Sequence, residues 1–103
     1  MKISRPYYAV IFTSRLNPET DGYHDMAKKM EDLAKKQPGY LGFESAREKL
    51  GISISYWESL DAIDRWKSHA EHQFAQEMGI KQWYKWYKVR VCEVQREYDF
   101  SGK

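Results

Sequence analysis

The sequence holds a single cysteine, Cys92, in 103 residues. That excludes an internal disulfide framework and a Cys-x-x-Cys redox pair, and it points to a reducing compartment, the cytoplasm. Long apolar runs are also missing. Nothing approaches the ~20 residues that cross a bilayer as a helix, and the opening Met1-Lys2-Ile3-Ser4-Arg5 has no signal-peptide character, so no membrane partner is expected. A surplus of one charge is absent too, since 17 Lys and Arg face 15 Asp and Glu for a formal net charge of +2. A polyanion such as nucleic acid is therefore not an expected partner. There is no internal repeat, linker or low-complexity tract, so residues 1–103 read as one domain. Neither a Gly-rich phosphate loop nor a Gly-x-Ser-x-Gly elbow occurs, which leaves nucleotide cofactors and serine hydrolysis without an anchor.

What is present is a balance of 42% hydrophobic and 31% charged residues, that of a folded soluble domain. A monomer of 12.3 kDa should expose about 6,100 Å² of the roughly 17,800 Å² its unfolded chain offers. Four Phe, four Trp and eight Tyr are too many for so small a core. Some are expected to line a pocket or an interface.

Tyr7 to Ser14 is β-rich and apolar on both alternating faces, Tyr7, Ala9 and Ile11 on one and Tyr8, Val10 and Phe12 on the other. Asn17-Pro18 marks a turn or helix start. Tyr23, Met26, Ala27, Met30, Leu33 and Ala34 then recur with amphipathic helical spacing, and Pro38-Gly39 ends that helix. On its outer face acids precede bases by four residues, at Asp25 and Lys29, Glu31 and Lys35, Asp32 and Lys36. Tyr40 to Glu48 and Ile52 to Glu58 read as a β-hairpin. In its second arm Ile52, Ile54 and Tyr56 share one face, and Ser53, Ser55 and Trp57 the other. Ser59 can cap a second helix with Leu60, Ile63, Trp66, Ala70 and Phe74 inside and Gly79 as its breaker. An aromatic turn from Ile80 to Trp86 leads to a last strand from about Tyr87 to Tyr98.

Strand, helix, strand, strand, helix, strand is the order of an α+β ferredoxin-like split β-α-β fold. It has a four-stranded antiparallel sheet, strands one and three central and both helices on one face. Two helices cover only one side, whereas the first strand is apolar on both. The second side is expected to be covered by another copy, giving a homodimer through the sheet face.

The densest polar and aromatic cluster is Tyr56-Trp57-Glu58-Ser59 followed by Trp66, His69, His72 and Gln76. Helical spacing puts Trp66 beside His69 and aligns His69, His72 and Gln76. Trp66 can stack on a flat substrate while a histidine moves a proton, so Trp66, His69 and His72 are the catalytic candidates. Phe12, Phe43, Trp57 and Gln76 are candidate substrate contacts, and Arg90 a candidate for holding an anionic oxygen. The plain alternative places Trp66 in the core, the histidines at the surface and Arg90 on an exposed edge strand. His69 and His72 supply only two ligands, with His24 and Cys92 far off in sequence, so no metal is expected. Lys81, Trp83, Tyr84, Lys85, Trp86, Tyr87, Lys88 and Arg90 interleave bases with rings, but the sheet strands lack the aromatic signature of an RNA-binding sheet.

The run from Tyr56 to Trp66, continuing through His69 and His72, resembles the third strand and second helix of the antibiotic biosynthesis monooxygenase family. The resemblance implies a homodimeric α+β barrel with a pocket between sheet and helices in each subunit. Some members oxidise polycyclic phenols to quinones with oxygen and no metal, flavin or haem, and another branch binds and degrades haem. Trp66 matches the helix tryptophan of both branches. The haem branch has an asparagine on the first strand, absent here, and a histidine where this chain has Gln76. The quinone-forming branch places an asparagine where this chain has Ala62 and a tyrosine where it has His72. The expectation is a cofactor-independent monooxygenase acting with oxygen on a small aromatic, phenolic or quinol-type molecule. The alternatives are a non-catalytic small-molecule or haem-binding module of the same fold, and a purely structural dimer.

Overall fold

The computed structural model describes residues 6–77 and 83–102, the side chains of residues 72–77 excepted. Along the chain run β1 (Tyr7–Leu16), α1 (Tyr23–Lys35), β2 (Tyr40–Arg47), β3 (Gly51–Trp57), α2 (Leu60–Glu77) and β4 (Tyr84–Val94). The sheet order is β2-β3-β1-β4 with every pair antiparallel, so β1 and β3 are central as expected.

Directly paired residues of antiparallel strands share a face, and neighbours along a strand point to opposite faces. Tyr8 and Val10 pack against a core of Ala34, Trp57, Ala62 and Ile63, which identifies the helix side. Val10 pairs with Ser55 and Val91, Phe12 with Ser53 and Val89, and Ser14 with Gly51 and Tyr87, so all of these lie on that side. The opposite side carries Ala9, Ile11, Ile52, Ile54, Tyr56, Arg90 and Cys92. The expected split of β3 between isoleucines and serines with Trp57 holds. A second cluster of Met26, Met30 and Trp83 joins α1 to the start of β4, with Trp66, Tyr23 and Tyr84 packed around it.

Three expectations change, and one stated alternative is decided. Leu60 is not on the inner stripe of α2 but 51% exposed, and Ala62 at 1% takes its place. The helix starts at Leu60, capped by Ser59, whose Oγ accepts the Ala62 amide at 3.1 Å. That start turns Ala62 onto Gly39 so closely that a Cβ at Gly39 would lie 2.6 Å from the Ala62 Cβ. Ala27 is exposed, because the buried stripe of α1 narrows to Met26, Met30 and Ala34. Asn17-Pro18 is a turn only: α1 begins at Tyr23 after Gly22, which adopts φ 86°. β4 starts at Tyr84 and stops at Val94 because β1 offers partners only from Leu16 back to Tyr7. Tyr98, read as the end of the strand, is 85% exposed. Gly79, the expected breaker of α2, and residues 80–82 of the aromatic turn lie outside the described residues.

On the side away from the helices two phenols are held by carboxylates. The Tyr7 hydroxyl donates to Glu97 Oε1 at 2.5 Å and the Tyr56 hydroxyl to Glu44 Oε1 at 2.7 Å, and the two rings meet edge to face at 6.0 Å. Each hydrogen bond favours the protonated phenol, and both ionisations are pushed up to about 12. Among the three expected acid-base pairs on α1, Glu31 and Lys35 meet at 3.1 Å.

Candidate functional site

The candidate site is a row of stacked rings on the helix side. Trp57 ends β3 and is 0% exposed, its indole N–H donating to Ser55 Oγ at 2.8 Å. Tyr40 meets it edge to face at 5.8 Å. Trp66 stacks on it at 5.9 Å and 22°, and His69, one turn further along α2, stacks on Trp66 at 6.4 Å and 26°. Burial falls along this row: Trp57 is enclosed, Trp66 half-buried and His69 exposed. Trp66 also borders both core clusters, which locks its ring plane. The expected neighbours on α2 are therefore together, with an imidazole reachable from water on an indole fixed from beneath.

The other candidates divide. Trp57 cannot touch a ligand, since no part of it is accessible; it supports Trp66 instead. Phe12 is half-buried on the helix side, stacked on Tyr87 at 5.2 Å and edge-on to Tyr84 at 5.5 Å. Phe43 is half-buried on the same side, paired with Ser55. Arg90 pairs with Ile11 and is exposed on the opposite side, so the sheet separates it from Trp66 and His69. Its assignment to the site is corrected: β1 sets the register of β4, and position 90 falls on the outward parity. His72 and Gln76 have side chains outside the described residues.

The helices leave part of this side open. α1 packs on β2 and α2 on β3, and on β4 both helices meet only its start, around Tyr84, among the described residues. Tyr87, Val89 and Val91, all facing the helix side, are about half exposed there. At one end of this strip an open cleft of ≈ 470 Å³ is bordered by Tyr8 and Glu93 of the sheet and by Glu58, Ser59, Leu60 and Asp61 at the start of α2. Glu58 and Ser59, part of the dense polar cluster of the sequence, line it, whereas Trp66, His69, Phe12, Phe43, Trp57 and Arg90 do not.

At the other end lies a residue the sequence reading missed. Arg47 closes β2 and reaches over Gly51 to β1, where Nη2 donates to Ser14 Oγ at 2.5 Å and Nη1 to the Ser14 carbonyl at 3.4 Å. The guanidinium carbon stands 5.5 Å from the centre of the Tyr23 ring. Tyr23 and Tyr84 meet edge to face at 5.8 Å. Burial, then the neighbouring Tyr23, hold the Tyr84 hydroxyl well above the ordinary tyrosine range, so it stays neutral. The one sequence signal was that Arg47 faces a glycine across the hairpin. Among the described residues, no three His, Cys, Asp or Glu gather to hold a metal ion.

A split β-α-β sheet with both helices on one side, and a supported indole presented there, define a class of small α+β domains. The chain belongs to the antibiotic biosynthesis monooxygenase family, whose profile matches residues 7–78. It is 51% identical over 94 residues to YqjZ of Bacillus subtilis (strain 168), an uncharacterized protein, covering 89% of this chain and 82% of that one. Among solved structures it is similar to a variant of SnoaB, a cofactor-independent oxygenase from Streptomyces nogalater. The TM-score is 0.74 at 10% identity, over 88% of this chain and 95% of that one. It is also similar to Rv0793 from Mycobacterium tuberculosis, with a TM-score of 0.69 at 16% identity over 93% and 99% of the two chains.

Proposed function

We propose that the protein is a cytoplasmic, homodimeric, cofactor-independent monooxygenase that oxidises a small phenolic or quinol-type aromatic with molecular oxygen. The observation that carries this reading is the stack of exposed His69 on half-buried Trp66, beside a helix-side strip of Phe12, Tyr87, Val89 and Val91. Family membership and the likeness to SnoaB support it.

A flat substrate lies ring on ring against the Phe12–Tyr87 pair, while Trp66, with Trp57 on one face and His69 on the other, holds the imidazole in place. His69, exposed at the end of the stack, takes the phenolic proton as general base. The electron-rich anion passes one electron to oxygen, and the radical pair combines to a hydroperoxide at the activated ring carbon. Loss of water then leaves a carbonyl. One oxygen atom ends in product and one in water, and the substrate supplies every electron, so no external reductant enters. In the test, the wild type is incubated aerobically with a panel of anthrones and hydroquinones while quinone absorbance is followed. Trp66→Ala and His69→Ala are expected to lower kcat/KM by about 10²-fold or more, the scale of a lost positioned proton acceptor. Equal turnover by wild type and both variants would defeat the assignment.

The sheet side away from the helices supports the dimer. Ile11, Ile52, Ile54 and Tyr56 lie together there on the central strands, and among the described residues no helix covers them. The single chain exposes 7886 Å², well above the about 6,100 Å² of a compact monomer of its mass. Its radius of gyration, 14.6 Å, exceeds the roughly 12.8 Å of a compact chain of this length. A second copy packed sheet to sheet buries the part of this surface that Ile11, Ile52, Ile54 and Tyr56 present. Wild type is expected to sediment as a dimer at micromolar concentration and Ile54→Glu as a monomer. A monomeric wild type would remove the dimer from the account.

A further inference from the structure

We propose that Arg47 is the oxyanion-binding group of the helix-side site, holding the ionised oxygen of an aromatic substrate whose ring lies against Phe12 and Tyr87. The inference rests on the phenolic reading above and names the residue that selects the phenolate form.

Three features of the structure carry it. The first is position. Arg47, Gly51, Ser14 and Tyr87 form one row across all four strands on the helix side. The guanidinium crosses that row to Ser14, next to the Phe12–Tyr87 stack, whereas Arg90 is on the wrong side of the sheet. The second is a built cradle. A Cβ at Gly51 would lie 2.0 Å from the guanidinium carbon, so the absence of a side chain there is what lets the cation lie flat on the sheet. Ser14, fully buried, fixes it from one edge, and the Tyr23 ring stands over it.

The third is charge. Among the described residues the partners of this half-buried cation are a serine and a ring, and none of its ion pairs with a carboxylate is found. Tyr84, next to Tyr23, stays protonated and supplies no counter-charge. A guanidinium has five N–H donors in a planar fork, and Ser14 takes only part of them. A cation withdrawn from water without an anion favours a ligand that brings one, and the rings around it favour an anion attached to an aromatic.

Such a group lowers the pKa of a bound phenol, so the substrate arrives in the form that reduces oxygen. The probe is 4-nitrophenol, whose phenolate absorbs visible light, titrated with wild-type protein under nitrogen across its ionisation range. Phenolate is expected to bind about ten-fold more tightly than phenol, lowering the apparent pKa of the bound probe by about one unit. Arg47→Gln should abolish that preference, and Arg90→Gln, on the other side of the sheet, should keep it. Gly51→Ala, which pushes the guanidinium off its cradle, serves as the second variant should Arg47→Gln fold poorly, and is expected to lose the preference too. No binding by wild type, binding without preference, or a preference that survives displacement of Arg47 would each overturn the proposal. Because the binding needs no oxygen, a phenolate preference without turnover upholds Arg47 and defeats the monooxygenase reading. Turnover without the preference does the reverse.

Discussion

Trp57→Ala is expected to lose about 3–5 kcal/mol of stability, the range for removing a large aromatic from a core that cannot fully collapse. Trp57 is 0% exposed and stands at the centre of its cluster, with Tyr40 on its edge and Trp66 on its face. Its removal also orphans Ser55 Oγ, which accepts the indole N–H at 2.8 Å in a position only 7% exposed. An unpaired buried hydroxyl adds to the cavity cost. A domain of this size has roughly 5–15 kcal/mol in total, so the variant sits near the edge of folding. Urea unfolding followed by tryptophan fluorescence measures the loss. A change below about 1 kcal/mol would show that Trp57 is not the core residue described. Trp57→Phe, which keeps a ring under Trp66, should lose distinctly less.

Gly39→Ala is expected to cost about 2–5 kcal/mol, from two separable causes. At φ +87° any side chain is strained, by about 1–2 kcal/mol. The added Cβ would also lie 2.6 Å from the Ala62 Cβ, where neither the strand start nor the helix yields readily. Overpacking of that kind costs about 1–3 kcal/mol. Gly22 separates the two. Its φ is +86°, but a Cβ there would sit 3.5 Å from Trp83, an ordinary contact, so Gly22→Ala should show the strain alone. Equal losses at both positions, again by urea unfolding, would mean that the close approach of α2 to β2 does not exist.

The order of elements was legible because each helix and strand buries one periodic set of residues, and the periods of 3.6 and 2 differ plainly. The face of β3 that holds Trp57 and Ser55 could be told from the one that holds Ile52, Ile54 and Tyr56. Ends of elements were less legible, because pairing and close approach decide them. β4 stops where β1 runs out of partners, and α2 turns in Ala62 instead of Leu60 because only a methyl fits against Gly39. At the site, the contact of Trp66 with His69 follows from three-residue spacing on one helix and was readable. Whether Trp57 faced a ligand or lay beneath Trp66 depended on layering, which spacing does not encode. Arg90 was misplaced by register, since a slip of one residue between β1 and β4 would have put it on the helix side. Arg47 left a single trace, a long cation opposite a glycine, whose meaning depends on Ser14 lying beyond.

The most direct test of the account is simultaneous measurement of oxygen uptake and quinone formation by wild-type protein stripped of metals with a chelator, using an anthrone that the panel has identified. One oxygen molecule consumed per quinone formed, at a rate untouched by the chelator and far above buffer, is the predicted result. Uptake no faster than in buffer, or uptake that the chelator abolishes, would contradict it.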